Sequence, residues 1–238
     1  MGVGVVTDVG AEIAWVQGGR VEVAGKSVDR LLARVPLVRS SQDLSAVVAR
    51  HLRPGVRAGD VAFISEKVVA ISQGRAISIW KIAPRPLARL IAGFVHTTAH
   101  GMGIGQPVVM EMAMREAGAP RIVLAALVGG LTRAFGRSGD FYRIAGRKVA
   151  AIDGPNRYTV PPFGHYVVLA PERPDGVARD LSRLLGIGVA IVDCNDLGSE
   201  VLGASEGVDR EFIRAALRDN PMGQRDQRTP MGLLRGME

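Results

Sequence analysis

The stretch Pro174-Asp175-Gly176 to Gly186, followed by Gly188-Val189-Ala190-Ile191-Val192-Asp193-Cys194-Asn195-Asp196, decides the fold class. Val177, Leu181, Leu184 and Leu185 fall on one face of a helix that Pro174 opens and Gly186 ends. Val189 to Val192 is an uninterrupted apolar run, the pattern of a strand covered on both faces. Upstream, His165-Tyr166-Val167-Val168-Leu169-Ala170 reads as another strand. Strand, helix and strand over about thirty residues predict a right-handed crossover unit, whose ligand edge is the carboxyl end of its strands.

Working toward the N-terminus, Lys148 to Ile152 reads as a third strand, ending in Asp153-Gly154-Pro155-Asn156. Val61-Ala62-Phe63-Ile64 is a buried strand that delivers Ser65-Glu66-Lys67 at its end, and Val68 to Ile71 continues apolar. Helical spacing predicts three further helices. The first carries Leu44, Val47, Val48 and Leu52 behind Ser40-Ser41-Gln42-Asp43, where a hydroxyl caps the helix and Asp43 favours its positive end. The second carries Leu87, Leu90, Ile91 and Phe94, and the third runs from Val108 to Gly118 with its methionines in the core. Residues 1–26 alternate weakly and break at Gly18-Gly19, a short hairpin at the edge of the fold. These readings give an N-terminal hairpin extension, 1–33, ahead of a main domain, 34–238.

With 238 residues, 47% apolar and 22% charged, the chain has the composition of a folded protein with a sizeable core. The longest apolar run, Ile122 to Leu131, is too short to cross a bilayer, and residues 1–4 do not open a secretory signal. A single cysteine, Cys194, forms no internal disulfide, so the expectation is a cytoplasmic protein with no membrane role. The net charge of +7 is focused: residues 76–148 hold ten basic side chains against three acidic ones. This basic, insert-like segment has too few aromatics, irregularly spaced, for a nucleic-acid surface. A solvated basic face comes first, attraction of a nucleotide second and nucleic acid third.

Asp153 and Asp193 share one description, a carboxylate directly after an apolar run with an Asn or Asp close behind. On parallel strands both would lie at one edge, where two carboxylates repel unless they share a proton or hold a cation such as magnesium or manganese. The alternative is that each caps a turn. His96 and His100 have the spacing of a shared metal site but lack the glutamate of the zinc-protease motif. Gly101 to Gly105 follows a helix rather than a strand, so it reads as a turn and not a dinucleotide loop. Cys194 has no histidine nearby in sequence to activate it. The tract Asp219 to Pro230 is polar and turn-rich; folded onto the site, its Gln224 and Asp226 would serve a phosphate-bound metal or a base.

In their order and spacing these pieces resemble the coenzyme F420-0:L-glutamate ligase family: Val35-Pro36-Leu37-Val38, Gly59-Asp60, Ser65-Glu66-Lys67-Val68-Val69, Gly74-Arg75, Ile152-Asp153 with Asn156, Pro174-Asp175-Gly176, Asp193-Cys194-Asn195 and Met222-Gly223 with Arg235-Gly236. The resemblance runs from about residue 34 to the end. It implies an α+β, two-lobed mixed α/β monomer in an intertwined homodimer. It also implies a GTP- and metal-dependent ligase that adds L-glutamate to the carboxylate of a cofactor acceptor through an acyl phosphate. Carried over, Asp153 and Asp193 are metal ligands for Mg2+ or Mn2+, and Asn156 is a nucleotide contact. Val35, Pro36, Leu37, Val38, Glu66 and Lys67 line the GTP pocket.

The chain also departs from that pattern. Cys194 replaces a threonine able to give oxygen to a second ion, and Ile71 replaces a basic residue. Gln224 stands where the family has a carboxylate, and the stretch between Asn195 and Met222 is shorter. These departures motivate a second reading, a non-catalytic or regulatory ligand-binding relative.

Overall fold

The computed structural model describes residues 14–40, 42–95, 103–156, 161–195, 198–223 and 227–236. The chain divides into two compact units, Met1–Gln73 with Pro171–Glu238, and Gly74–Ala170.

The first unit is built on a six-stranded mixed sheet. Its strands are β1 (Trp15–Val23), β2 (Lys26–Ala33), β3 (Val61–Ser65), β6 (Gly188–Asn195), β7 (Gly198–Ala204) and β8 (Met231–Arg235), in the order β1-β2-β8-β3-β6-β7. Only β3 and β6 run parallel. Period-2 alternation sorts their side chains to two cores. Ala62, Ile64, Val189, Ile191 and Leu233 face α1 (Leu44–Leu52) and α8 (Pro174–Leu185), while Phe63, Ala190, Val192 and Leu234 face α9 (Arg210–Ala216). Asp43 caps α1 by accepting from the Ser45 N–H at 2.9 Å, so the carboxylate does the work expected of a hydroxyl. In α8 the buried stripe Ala178, Leu181, Leu185 and the left-handed Gly186 at its end match the sequence reading. Each fully buried leucine of this kind is worth roughly 2 kcal/mol against exposure.

The second unit holds a two-stranded antiparallel sheet, β4 (Ala76–Ser78) with β5 (Tyr166–Val168), and the helices α3 (Pro86–Phe94), α4 (Pro107–Ala117), α5 (Ala119–Ala134), α6 (Asp140–Ala145) and α7 (Arg147–Ala150). Met110, Met112 and Met114 are buried in its core, as their helical spacing predicts. Between α3 and α4, a turn closed by the Gln106 N–H on the Gly103 carbonyl agrees with the turn reading of that glycine-rich stretch where it is described.

Three expectations are corrected, and one apolar run is placed. The β1–β2 hairpin turns at Ala24-Gly25, both at positive φ, whereas Gly18-Gly19 is a bulge at which the register shifts. Lys148 to Ile152 is not a strand: the chain forms α7, and a short apolar run does not by itself distinguish the two. Val68 to Ile71 belongs to a helix, α2 (Glu66–Ser72). Finally, β5 and β6 lie in different sheets, so β5-α8-β6 is no crossover unit. The parallel neighbour of β6 is β3, about 125 residues earlier in the chain.

Candidate functional site

In the first unit the parallel pair β3/β6 is in register from Val61↔Gly188 to Ser65↔Val192. The next residues, Glu66 and Asp193, therefore stand level at the carboxyl end of the pair, where the chain of β3 turns into α2 and β6 runs on to Asn195 against β7. Glu66 is buried in the first turn of α2 and Lys67 is exposed. The C-terminal tract returns to this end. The Ser65 N–H donates to the Pro230 carbonyl and the Val35 N–H to the Arg228 carbonyl, each at 2.8 Å. The Thr229 hydroxyl donates to the Met222 carbonyl at 2.8 Å and holds the strap in place. The described part of the tract is thus folded against residues 34–35 and 65; Gln224 and Asp226 themselves lie outside the described residues, as do His96 and His100.

The stretch Val35 to Val38 divides by burial. Val35 and Val38 are core residues, Leu37 is half-buried and Pro36 is exposed. Val35, Pro36 and Val38 line a cleft of about 260 Å³ with Asp43, Arg50 and His51 of the α1 region. Burial, aided by the Arg50 charge, pushes the His51 imidazole below its usual range, and its Nδ1 has no hydrogen-bond partner.

Asp193 opens onto a second and larger groove of about 640 Å³. Asn195, Ser199, Glu200, Arg214 and Arg218 line it as well. Glu200 sits directly across from Asp193 on β7, so two carboxylates project from one face of neighbouring strands. Like charges so placed on neighbouring strands repel. The oxygen donors of Asp193, Glu200 and Asn195 are the hard ligands that magnesium or manganese takes. Among the described residues no three His, Cys, Asp or Glu side chains converge to hold an ion unaided.

Cys194, next in the strand, turns to the opposite face and packs against the α9 core. Burial pushes its thiol up to about 12, and the charges of Asp193 and Asp219 add to the effect. A thiol so held is not an activated nucleophile. Asp153 lies in the second unit. It is half-buried and forms an antiparallel bridge with Val168 through two backbone hydrogen bonds of 2.9 Å, with Asn156 exposed three residues on. The two aspartates therefore do not end adjacent parallel strands of one sheet, and the shared-edge argument for pairing them fails. Glu200, Arg214 and Arg218 escaped the sequence reading; only the tight β6–β7 connection, signalled by Asn195-Asp196 and Gly198, reveals that Glu200 faces Asp193.

Residues 33–195 match the family model for F420-0:gamma-glutamyl ligase. The chain belongs to that family. A coenzyme F420:L-glutamate ligase of Methanopyrus kandleri is 27% identical over 245 residues, with 86% of each chain covered. In this ligase-family chain the matched segment includes β3, α2, Asp153 and the whole of β6 through Asn195. Glu200 and the arginines of the larger groove come from beyond it.

Proposed function

We propose that the protein is a GTP- and divalent-metal-dependent ligase that joins L-glutamate by an amide bond to the carboxylate of coenzyme F420-0 or a related cofactor. The observation that carries this reading is family membership combined with the position of Asp193, at the carboxyl end of the parallel pair and on the wall of the oxygen-lined groove. In the reaction, a carboxylate oxygen of the acceptor attacks the γ-phosphorus of GTP and GDP leaves, giving an acyl phosphate. The glutamate amine then attacks the acyl carbon, phosphate leaves and the nitrogen loses a proton. Such chemistry asks the protein chiefly for positioning and charge neutralisation.

Asp193 is a candidate ligand of Mg2+ or Mn2+ with Glu200 across from it, and Asp153 keeps that role by resemblance alone. A bound ion of this kind neutralises phosphate oxygens. Arg214 and Arg218 offer cationic contacts to anionic groups in the groove. Asn156, Val35 to Val38, Glu66 and Lys67 are assigned to the nucleotide by resemblance, and Gln224 and Asp226 to a phosphate-bound metal or the base by their place in the polar C-terminal tract. The same resemblance carries a homodimer, and the single cysteine a cytoplasmic location. Cys194 favours a second reading, a ligand-binding relative without turnover, because its inward thiol supplies no oxygen donor where the family has a threonine.

One experiment separates the readings. Thermal stability is followed with GTP and ATP, with and without Mg2+ or Mn2+, on the wild type and Asp193→Asn, alongside phosphate release with glutamate and F420-0. A ligand at a hundred times its Kd stabilises by about 2.7 kcal/mol. The ligase reading expects a metal-dependent shift with GTP and turnover reduced on the order of 100-fold in Asp193→Asn. A shift without turnover favours the binding relative, and no shift with either nucleotide overturns the ligase reading.

A further inference from the structure

The groove beside Asp193 is polar throughout. Among its described lining residues Gly198 and Ala215 are the sole apolar members, with no aromatic ring and no branched apolar side chain. A purine or another ring system settles against apolar and aromatic faces, which these walls do not offer. At about 640 Å³ the groove has room for a small molecule, and the molecule that suits it is charged and polar along its length.

Both signs of charge are present, and they come from different elements. Asp193 on β6 and Glu200 on β7 stand across from one another on the strand wall. Arg214, in α9, and Arg218, two residues past its end, line the same groove from the other side. They are four positions apart, about one helical turn, and the chain keeps turning between them, with the Arg218 N–H donating to the Ala215 carbonyl at 3.4 Å. Glu211 pairs with Arg214 at 2.8 Å, but both side chains are largely exposed, and a surface pair of this kind is weak enough to give way to a ligand carboxylate.

The backbone that presents the two arginines is pinned from two strands. The Ser199 hydroxyl of β7 donates to the Arg214 carbonyl at 2.6 Å. Arg30 of β2, 5% exposed, donates to the Ala216 carbonyl at 3.2 Å and pairs with Asp219. Cations carried on a fixed backbone lose less freedom when they bind than cations on a free loop.

L-Glutamate meets these features together. It offers two carboxylates, each of which a guanidinium holds in a charge-assisted fork, and an amino group of opposite charge for the strand wall. That orientation turns the nucleophilic nitrogen toward Asp193, the candidate metal ligand, and the carboxylates away from it. We infer that Arg214 and Arg218 hold the two carboxylates of the amino-acid substrate and set its identity as glutamate. The assignment deepens the ligase reading and rests on it.

The test is steady-state kinetics of the wild type, Arg214→Gln and Arg218→Gln with GTP and F420-0. The amine donors are L-glutamate, L-glutamine, which lacks the side-chain carboxylate, and 4-aminobutyrate, which lacks the α-carboxylate. Both arginines are exposed, so the variants should fold as the wild type does. The wild type should prefer glutamate to either analogue by about 100-fold or more in kcat/KM. Each substitution should raise the KM for glutamate by about 30-fold, leave the KM for GTP within about threefold, and erase most of the preference against one analogue, a different one for each arginine. Loss spread evenly over the three donors would mean a structural role, and a matching rise in the KM for GTP would give the arginines to phosphate; either overturns the assignment. Should the wild type join none of these donors to F420-0, the ligase reading fails, and thermal stability with L-glutamate alone judges the site. A shift lost in Arg218→Gln would uphold glutamate binding, and no wild-type shift would overturn it as well.

Discussion

The two units treat their side chains in opposite ways. In the sheet unit the apolar residues of β3, β6 and β8 are sealed between helices, while Asp193, Glu200, Arg214 and Arg218 line an open groove. In the helical unit the segment's carboxylates are drawn inward onto arginines, and leucines are left outside. The first is a closed core with a polar groove at one strand edge; the second keeps its carboxylates inside and large apolar side chains outside.

The largest expected effect tests the tightness of the sheet core. Gly232 lies in β8 between β2 and β3, and a Cβ there would overlap the Leu31 carbonyl oxygen and the Phe63 ring. Gly232→Ala should cost about 3 kcal/mol or more, because neither neighbour can yield without moving a strand. The counterpart in the helical unit is Gly130, which meets nothing within 4 Å on the outer face of α5. Gly130→Ala should stabilise by up to about 1 kcal/mol through helix propensity. For a chain of this size the two substitutions move the melting temperature by roughly −6 to −12 °C and +2 to +4 °C. Equal destabilisation by both would show that the outer face of α5 is as crowded as the sheet.

A smaller effect probes the inverted charges of the helical unit. Glu111 accepts from the Arg85 backbone N–H at 3.1 Å and from the Arg85 and Arg115 side chains at 2.9–3.1 Å. Burial alone would raise its pKa, but these bonds outweigh it and hold the carboxyl below its ordinary range. Removing a buried partner usually costs 3–5 kcal/mol, yet both arginines are about half exposed and regain water. Glu111→Ala should thus cost about 2 kcal/mol in a denaturant melt. A neutral result would mean that the arginines hold α4 without it.

Much of this contrast was legible in the sequence where one local signal sufficed. The periodicity of Leu44 to Leu52, the Pro174 and Gly186 punctuation of α8, and the run Val189 to Val192 all gave the elements observed. What escaped depended on long-range pairing. Met231 to Arg235 looked like the end of a polar tail, yet it inserts as β8 into the middle of the sheet, anchored by the bidentate Arg235–Asp60 pair at 2.7 and 2.9 Å. The parallel pairing of β3 and β6 was equally hidden, because about 125 residues separate the strands. Of the candidate site, Asp193 was found from its place after a strand, whereas Glu200 required the register of a hairpin. The outward leucines of α5 were visible as an apolar run, but no periodicity states which face a helix turns to its neighbours.

The smallest effect separates the units by pH. His51 is held below its ordinary range by burial and by Arg50, so the unfolded chain binds its proton more readily than the folded one. Stability from this group is complete above about 6.5 and is lost as pH falls from there through the lowered folded value. Glu111 works in a lower window: with a depressed pKa, its contribution is complete above about 4.5 and is lost only on further acidification. The sheet unit should therefore begin to weaken first, between pH 7 and 5, while the helical unit holds. His51→Phe keeps a ring in the half-buried site without the titration, and should flatten the melting temperature between pH 7.5 and 5.5 by about 1–2 °C relative to the wild type. An unchanged slope would assign the acid sensitivity elsewhere, and a slope removed by Glu111→Gln instead would reverse the order in which the two units fail.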